Sequence, residues 1–368
     1  MKGRCIEGCL LTCLCLVTAC TDDFAPQSEL SSLRVLAVQP EPASGIPGEQ
    51  VHLRMLYYDG RSRDGNPDPP HSAQIVWLAG CHNPPSLGFY ACYPLIHAAM
   101  AQFGKPYDTL PVLPVPGVFG VGDEFDFQVP ADILESAPSA KTDAIHYGVS
   151  YVFFAACAGE LRLVAGPGNR LPLGCFDPDT GERLGAQDYV EGFTTLFSFE
   201  GNVNNNPELS GVLFAGAKVS ADECADDADC VDVESGSETF SDYGCGSAGR
   251  CVPRVERCSP AAEDSCPEYP VFPEISPDSA EPDPSAPFED GHFPGEILWV
   301  NFYADAGEFS FDTRLAHDRQ LGWIDNRASR YRPLSREPGS VRFFTTLHDN
   351  RGGASWQSFE VLVRDAEE

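Results

Sequence analysis

The chain of 368 residues carries 24 Lys and Arg against 55 Asp and Glu, a formal charge of -31 at pH 7. With only four lysines it lacks the cation clusters that phosphate backbones require, which excludes nucleic acid as a partner and disfavours docking on anionic lipid. An aromatic content of 11% supplies real hydrophobic cores and excludes disorder throughout, and the length leaves room for two or three domains.

Lys2 and Arg4 precede an almost uncharged run from Cys9 to Ala19, shorter than the roughly 20 residues of a membrane-spanning helix. Residues 1–19 therefore read as an export signal. Val17-Thr18-Ala19-Cys20 resembles the lipobox of bacterial lipoproteins, which implies cleavage before Cys20, a lipid on its sulfur and contact with the membrane through that residue alone. The alternative is an ordinary secretory signal in which Cys20 is incidental. One acyl chain, at about 0.8 kcal/mol per buried methylene, holds marginally, and two hold stably. Residues 20–32 are polar and without apolar periodicity, and read as a tether. Thr21 stands where an Asp favours inner-membrane retention in enteric bacteria, so the resemblance points to the outer membrane of the cell envelope.

Strand patterns follow. Leu33 to Val38 is an apolar segment, Val51, Leu53 and Met55 alternate, and Ile75 shares a face with Trp77. Phe125, Phe127 and Val129 alternate, as do Tyr147, Val149 and Tyr151, and "VEGFTTLFSF" adds a further strand. Pro, Gly and Asp clusters at these intervals suggest a β-sandwich with Trp77 as its buried aromatic. A second unit begins near "GVLFAGAKVS" and resumes at "GEILWVNFYADAGEFSF". It closes on a hairpin in which Val341, Phe343 and Thr345, then Phe359, Val361 and Val363, flank a turn at Asn350 to Gly353.

Ten cysteines follow Cys20, an even number that reads as disulfides in an oxidising compartment. Closeness in sequence pairs Cys81 with Cys92 and Cys157 with Cys175; a bridge from Cys81 to Cys157 between sheets is the alternative. Residues 221–290 hold nineteen acids against three arginines, so this part is expected to protrude rather than pack. Residues 268–290 read as an extended, solvated linker.

"LRVLAVQPEPASGIPGEQVHL", "PLGCFDPDTGERLG", "NVNNNPELSGV" and "HDNRGGASW" resemble the predicted lipoproteins of myxobacteria and their relatives, built from immunoglobulin-like domains. The resemblance implies an all-β chain and an envelope location and brings no site residues with it. The boundaries expected are a signal peptide at 1–19, a tether at 20–32, a first immunoglobulin-like sandwich at 33–205 and a second at 206–368, interrupted at 222–290 by a cysteine-rich insertion and acidic linker. The insertion is similar to small crosslinked modules of such envelope proteins. Their pattern, with two equal five-residue gaps, implies Cys224 with Cys245 and Cys230 with Cys251, leaving Cys258 for Cys266.

Chemistry is sparse. "GCGSAG" matches GxGxxG at Gly244, Gly246 and Gly249, but a phosphate cradle needs a strand before it and a helix after it. GxSxG, HExxH and P-loop motifs are absent, and His52, His146 and His348 lie scattered in strand-like surroundings. Asp177, Asp179 and Glu182, and separately Asp59, Asp64 and Asp68, offer calcium-type oxygens, although Asp and Gly are also what tight turns require. The expectation is a protein with no enzymatic activity and no cofactor, lipid-anchored, binding or scaffolding a protein or glycan partner. A hydrolase with an unrecognised site and a structural surface component without a ligand are the alternatives.

Overall fold

In the stretch Glu124–Gln128, Phe125 and Phe127 are buried while Glu124, Asp126 and Gln128 are exposed, the period-two signature of a strand with one wet face. The computed structural model describes residues 26–60, 73–85, 88–102, 117–138, 146–164, 168, 170–201, 204–219, 223–230, 242–258, 266–283, 294–334 and 338–365. In its first half lie β1 (Leu33–Glu41), β2 (Gln50–Asp59), β3 (Gln74–His82), α1 (Tyr93–Gln102), β4 (Phe119–Val121), β5 (Glu124–Gln128), β6 (Tyr147–Cys157), β7 (Glu160–Leu163), β8 (Leu173–Phe176) and β9 (Tyr189–Phe199). One sheet has the order β1-β2-β5 and the facing one β4-β3-β6-β9, an immunoglobulin-like sandwich.

Its core joins Leu33, Val51, Leu53 and Met55 to Trp77, Val152, Phe154 and Leu196. Trp77 is fully buried, lies parallel to Phe125 at 6.0 Å and donates its indole N–H to the Gly122 carbonyl at 2.7 Å, so burial leaves no polar atom unpaired.

A third layer covers part of the outer face of the four-stranded sheet. Ile96 and Met100 of α1, with Leu161, Leu163 and Leu173 of the β7–β8 hairpin, pack on Val76, Leu78, Phe153 and Ala155. Two buried disulfides staple this layer down, Cys81–Cys92 beside the helix and Cys157–Cys175 across the hairpin. The helix is an addition to the all-strand reading of the sequence.

The second sandwich contains β10 (Leu209–Phe214), β11 (Ala217–Lys218), β12 (Tyr243–Cys245), β13 (Cys251–Glu256), β14 (Tyr269–Ile275), β15 (Leu298–Ala304), β16 (Glu308–Phe309), β17 (Thr313–Asp318), β18 (Gly322–Trp323), β19 (Ser329–Arg332), β20 (Gly339–Asp349) and β21 (Ala354–Arg364). The sheets run β11-β10-β14-β19-β16 and β12-β13-β21-β20-β15-β17-β18. Phe214, Val271, Phe302, Tyr331, Phe343 and Val361 fill the space between them.

Three boundaries differ from the sequence expectation. The acidic linker begins with a core strand: β14 lies between β10 and β19, with Val271 and Ile275 buried. Apolar residues on alternate positions of "YPVFPEI" drive this, and the composition of the surrounding acids and prolines conceals it. The cysteine-rich insertion packs as well as protrudes, because β13 pairs in parallel with β21 through Arg254↔Leu362 and Val255↔Val363, and Val255 enters the core. The tether is shorter than residues 20–32, since the Leu30 N–H donates to the Ala304 carbonyl at 3.1 Å and the Ala304 N–H to the Ser28 carbonyl at 3.0 Å. Leu30 then fills a small core with Leu36, Tyr58 and Tyr303, which joins the two sandwiches.

Because β14 is a central strand, Val271→Asp puts an unpaired charge in the core and costs about 3 kcal/mol or more. The denaturant midpoint of the full chain is expected to fall accordingly, whereas Glu268→Ser at the strand's exposed approach leaves it within about 0.5 kcal/mol.

Candidate functional site: the cleft between the sandwiches

The connection between the sandwiches is held by consecutive asparagines. Asn204 Nδ2 donates to Asp349 Oδ2 at 3.1 Å, Asn205 Nδ2 to Glu281 Oε1 at 2.5 Å and Asn206 Nδ2 to the Pro40 carbonyl at 2.6 Å. Asn206 Oδ1 accepts from the Ala354 N–H at 2.9 Å, and the Ala354 carbonyl accepts from Gln39 Nε2 at 2.7 Å. The short polar side chains thus do the pairing that a ladder does elsewhere.

Beneath them Arg351 is buried at 2% exposure. Its Nε donates to Glu296 Oε1, and one terminal nitrogen donates to Glu281 Oε2 at 3.0 Å. Asp349 Oδ1 accepts from the Arg351 and Gly353 N–H groups at 2.7 and 2.8 Å, while Asp283 accepts from Arg319 and from Asn350. Four carboxylates meet two guanidinium groups here, and among the described residues Glu296 Oε2 and Asn204 Oδ1 have no partner. Burial, then the charge of Asp349, pushes the Glu296 carboxyl up to about 8 against the pull of Arg351, and burial also raises Asp349. Both glycines of the turn are required: Gly352 has φ +97° and brings its α-carbon against the Thr195 carbonyl, and a β-carbon at Gly353 would meet Asp349 Oδ2 at 2.2 Å.

Beside this hub a cleft of about 450 Å³ opens between the sandwiches, within the size range of ligand sites, which favour domain boundaries. Val35–Val38 form one wall, Phe193–Thr195 and Phe197 another, and Trp299, His348, Asn350 and Gly352 the third. Trp299 stacks on His348 with ring centres 5.5 Å apart. Burial pushes His348 down to about 4, so its ring is neutral at physiological pH, and its Nε2 lies 2.9 Å from Thr346 Oγ1. The cleft therefore presents aromatic faces, the neutral His348 ring and the Asp349 carboxyl.

An aromatic surface continues from the cleft over the uncovered part of the four-stranded sheet. Phe89 stacks on Phe193 at 4.4 Å and on Tyr90 at 4.2 Å, and Tyr151 meets Phe193 edge-on at 5.5 Å. Tyr90 is 59% exposed, Tyr147 40% and Phe193 38%. The alternation of Tyr147, Val149 and Tyr151 thus faces outward, and Ser150 and Val152 occupy the inner face of β6. Sequence reasoning missed this surface because the alternation of apolar residues does not say which face is wet, and the small Gly148 and Ser150 that face inward point to the opposite choice.

Of the candidate site residues singled out from the sequence, His348 lines the cleft and the others described below lie apart from it. The five disulfides are Cys81–Cys92, Cys157–Cys175, Cys224–Cys245, Cys230–Cys251 and Cys258–Cys266, and Cys20 lies outside the described residues, as do Asp64 and Asp68. Asp177 Oδ1 accepts from the N–H groups of Asp179 and Thr180 at 2.8 and 3.0 Å, and Gly181 at φ +72° completes that turn. Among the described residues, the group close enough for shared metal ligation is Cys224, Cys230 and Cys251; their sulfurs are joined in disulfides and present no thiolate. Gly244, Gly246 and Gly249 belong to the β12–β13 hairpin, with strands on both sides. His52 Nδ1 lies 2.9 Å from Asp126 on the outer face of the first sandwich. None of the described helices is long and apolar enough to cross a membrane.

No family model matches the chain, and no curated protein matches it. Among solved structures it is similar to the tandem Ig repeats of Dlar, at 9% identity over 91% of this chain and 100% of that one, with a TM-score of 0.21. Dimeric latent PorU from Porphyromonas gingivalis gives 13% over 92% of this chain and 24% of that one, with a TM-score of 0.19. Three N-terminal domains of the bacteriophage RB49 Highly Immunogenic Outer Capsid protein give 10% over 91% and 100%, with a TM-score of 0.16. Scores this low carry no argument about family or function. The immunoglobulin-like assignment rests on the strand order and packing of the chain itself.

Removing Arg351 leaves the buried Glu296 and the half-buried Glu281 without their guanidinium. Arg351→Ala is expected to cost about 3–5 kcal/mol in equilibrium unfolding. The raised Glu296 carboxyl sets a pH dependence: the folded state keeps a proton that the unfolded chain releases above the ordinary value of 4.5. Stability from this group is full below about 4.5 and declines as pH rises to about 8, by at most about 1.4 kcal/mol per pH unit. Glu296→Gln is expected to flatten that slope in denaturant titrations across pH 5 to 8.

Proposed function

We propose that this chain is a lipid-anchored, non-catalytic binding or scaffolding protein of the bacterial cell envelope, with a protein or glycan partner. The observation that carries the binding role is the exposed aromatic surface of Phe89, Tyr90, Tyr147, Tyr151 and Phe193 running into the interdomain cleft. Soluble proteins rarely leave such a patch uncovered without a use, and Tyr and Phe are the side chains that dominate binding energy where they meet a partner. Five disulfides mark a protein of an oxidising, extracytoplasmic compartment.

The ionisable groups of the cleft support a role without catalysis. His348 is held neutral beside Thr346, and both Asp349 oxygens accept hydrogen bonds that shape the turn. The Thr346 hydroxyl beside His348 is fully buried and so presents no nucleophile to a substrate, and the Asp349 oxygens are committed to the turn.

The lipobox at Val17–Cys20 and the short stretch between Cys20 and the first docked residues support anchorage in the outer membrane, with the body held close to the lipid surface. Mass spectrometry of the mature N-terminal peptide is expected to find Cys20 acylated, and Cys20→Ser is expected to move the protein from the membrane to the soluble fraction; an unmodified Cys20 overturns the anchor. For the binding role, a photo-crosslinking residue at Tyr90 is expected to give covalent adducts in the native cells, and the same probe at the exposed Leu321, on the far hairpin, to give few. Equal labelling at both positions overturns the assignment of the surface.

A further inference from the structure

The two sandwiches treat their last strands differently. In the second, the outer edge of β21 is covered: β13 pairs with Leu362 to Arg364, and the side chains of Ser355 and Gln357 bond the main chain of Leu209 at 3.2 and 3.1 Å. In the first, β9 is the last strand of its sheet. Its main-chain directions follow from its ends. The Asp188 carbonyl and the Glu200 N–H bond toward β6, to Ala158 and His146, whereas the Gln187 and Phe197 carbonyls accept from Leu33 and Gly45 on the opposite side. Strand alternation then turns the N–H and C=O groups of Glu191, Phe193 and Thr195 away from β6. Among the described residues, no hydrogen bond to the main chain of Glu191 or Phe193 is made on that side.

Leu33 and Gly45 close the two ends of a slot between the edges of β1 and β9, along which β1 carries a bulge between Val35 and Ala37. That slot is the cleft. β9, "YVEGFTTLFSF", carries no lysine, no proline and no bulge, the devices that most often blunt an edge, and its one charged residue is Glu191. A row of unpaired, alternating donors and acceptors beside aromatic side chains is the complement of an extended peptide.

We propose that the cleft takes a short extended segment of a partner protein, which adds as a strand to the free edge of β9 at Glu191 and Phe193 and reaches as far as the Thr195 N–H, the Thr195 carbonyl being covered by Gly352. This rests on the binding role proposed above and names the chemistry of its ligand. Apolar side chains of the segment pack on Phe193, Phe197 and Trp299. The carboxylate of Glu191 and the acidity of the chain select against acidic residues and favour a basic one. The wall formed by Trp299, His348 and Gly352 admits a flexible segment and excludes the edge of a folded second copy.

The test is selection of random peptides displayed on phage against the full mature chain, followed by synthesis of those enriched. The expected peptides are apolar and basic, and protect the amides of Glu191, Phe193 and Thr195 from hydrogen exchange. A scan of single N-methyl groups along a selected peptide is expected to weaken binding tenfold or more at every second residue and little between. Phe193→Pro, which removes an outward N–H and spares the ladder to β6, is expected to weaken binding by a similar factor; since it also removes the ring that stacks on Phe89, the N-methyl scan on the unaltered protein decides should that variant fold poorly. Absence of any enriched peptide, a response to N-methylation without period two, or protection mapped away from β9 overturns the strand-addition model, as does dimerisation through β9 in sedimentation or competition by a neutral oligosaccharide at the cleft. Specific peptide binding elsewhere would sink this inference and leave the binding role standing.

Discussion

The buried guanidinium of Arg351 fixes the relation between the two halves of the molecule. It bonds Glu296 and Glu281 of the second sandwich and lies over the Phe199 ring of the first at 5.8 Å, while Asn204 bonds Asp349 and Asn206 bonds the Pro40 carbonyl of the first. An ion buried to this extent is expensive to desolvate, and replacing such a group with apolar residues is often neutral for stability. What the cluster provides is position: the turn Asp349–Gly353 stands against Thr195, and that contact sets the width of the cleft. The excess of carboxylates over arginines makes the same hub a proton-binding site, so the joint between the sandwiches is more stable in mild acid than in base.

Edge management explains much of what surrounds the joint. The cysteine-rich insertion, with no core of its own beyond Cys230, Tyr243, Cys251 and Ala217, uses two disulfides of equal span to hold a strand across the edge of β21. In the first sandwich the crosslinks act differently, clamping α1 and the β7–β8 hairpin over part of an apolar sheet face and leaving the remainder as the aromatic surface. Crosslinks hold layers in place where small apolar contacts alone are insufficient, and here that placement determines which faces and edges remain available to a partner.

Much of the architecture is legible from residue order. Trp77 reads as the core aromatic because it alternates with Ile75 among β-branched neighbours, and the final hairpin reads from Val341, Phe343 and Phe359, Val361 around a turn of Asp, Asn and Gly. The N-terminal docking of Leu30 is not legible, since a single leucine among polar residues carries no period. β14 is hidden for a related reason: "YPVFPEI" contains two prolines, which argue against a central strand, yet Pro270 pairs with Arg330 and Pro273 with Val212 in the ladder.

By itself the sequence determined the fold class, because period-two alternation and turn chemistry are local properties of the chain, and it determined the compartment type through its cysteine count. Tertiary structure decided which face of each strand is wet, which edges are covered and where ionisable groups meet. Tyr147 and Tyr151 look like core residues until a layer is found to stop short of them, and Arg351 looks like a turn residue until three carboxylates converge on the same buried point. Those outcomes depend on contacts between segments separated by tens to hundreds of residues, as between Arg351 and Glu281, and no local pattern encodes a distance across the fold.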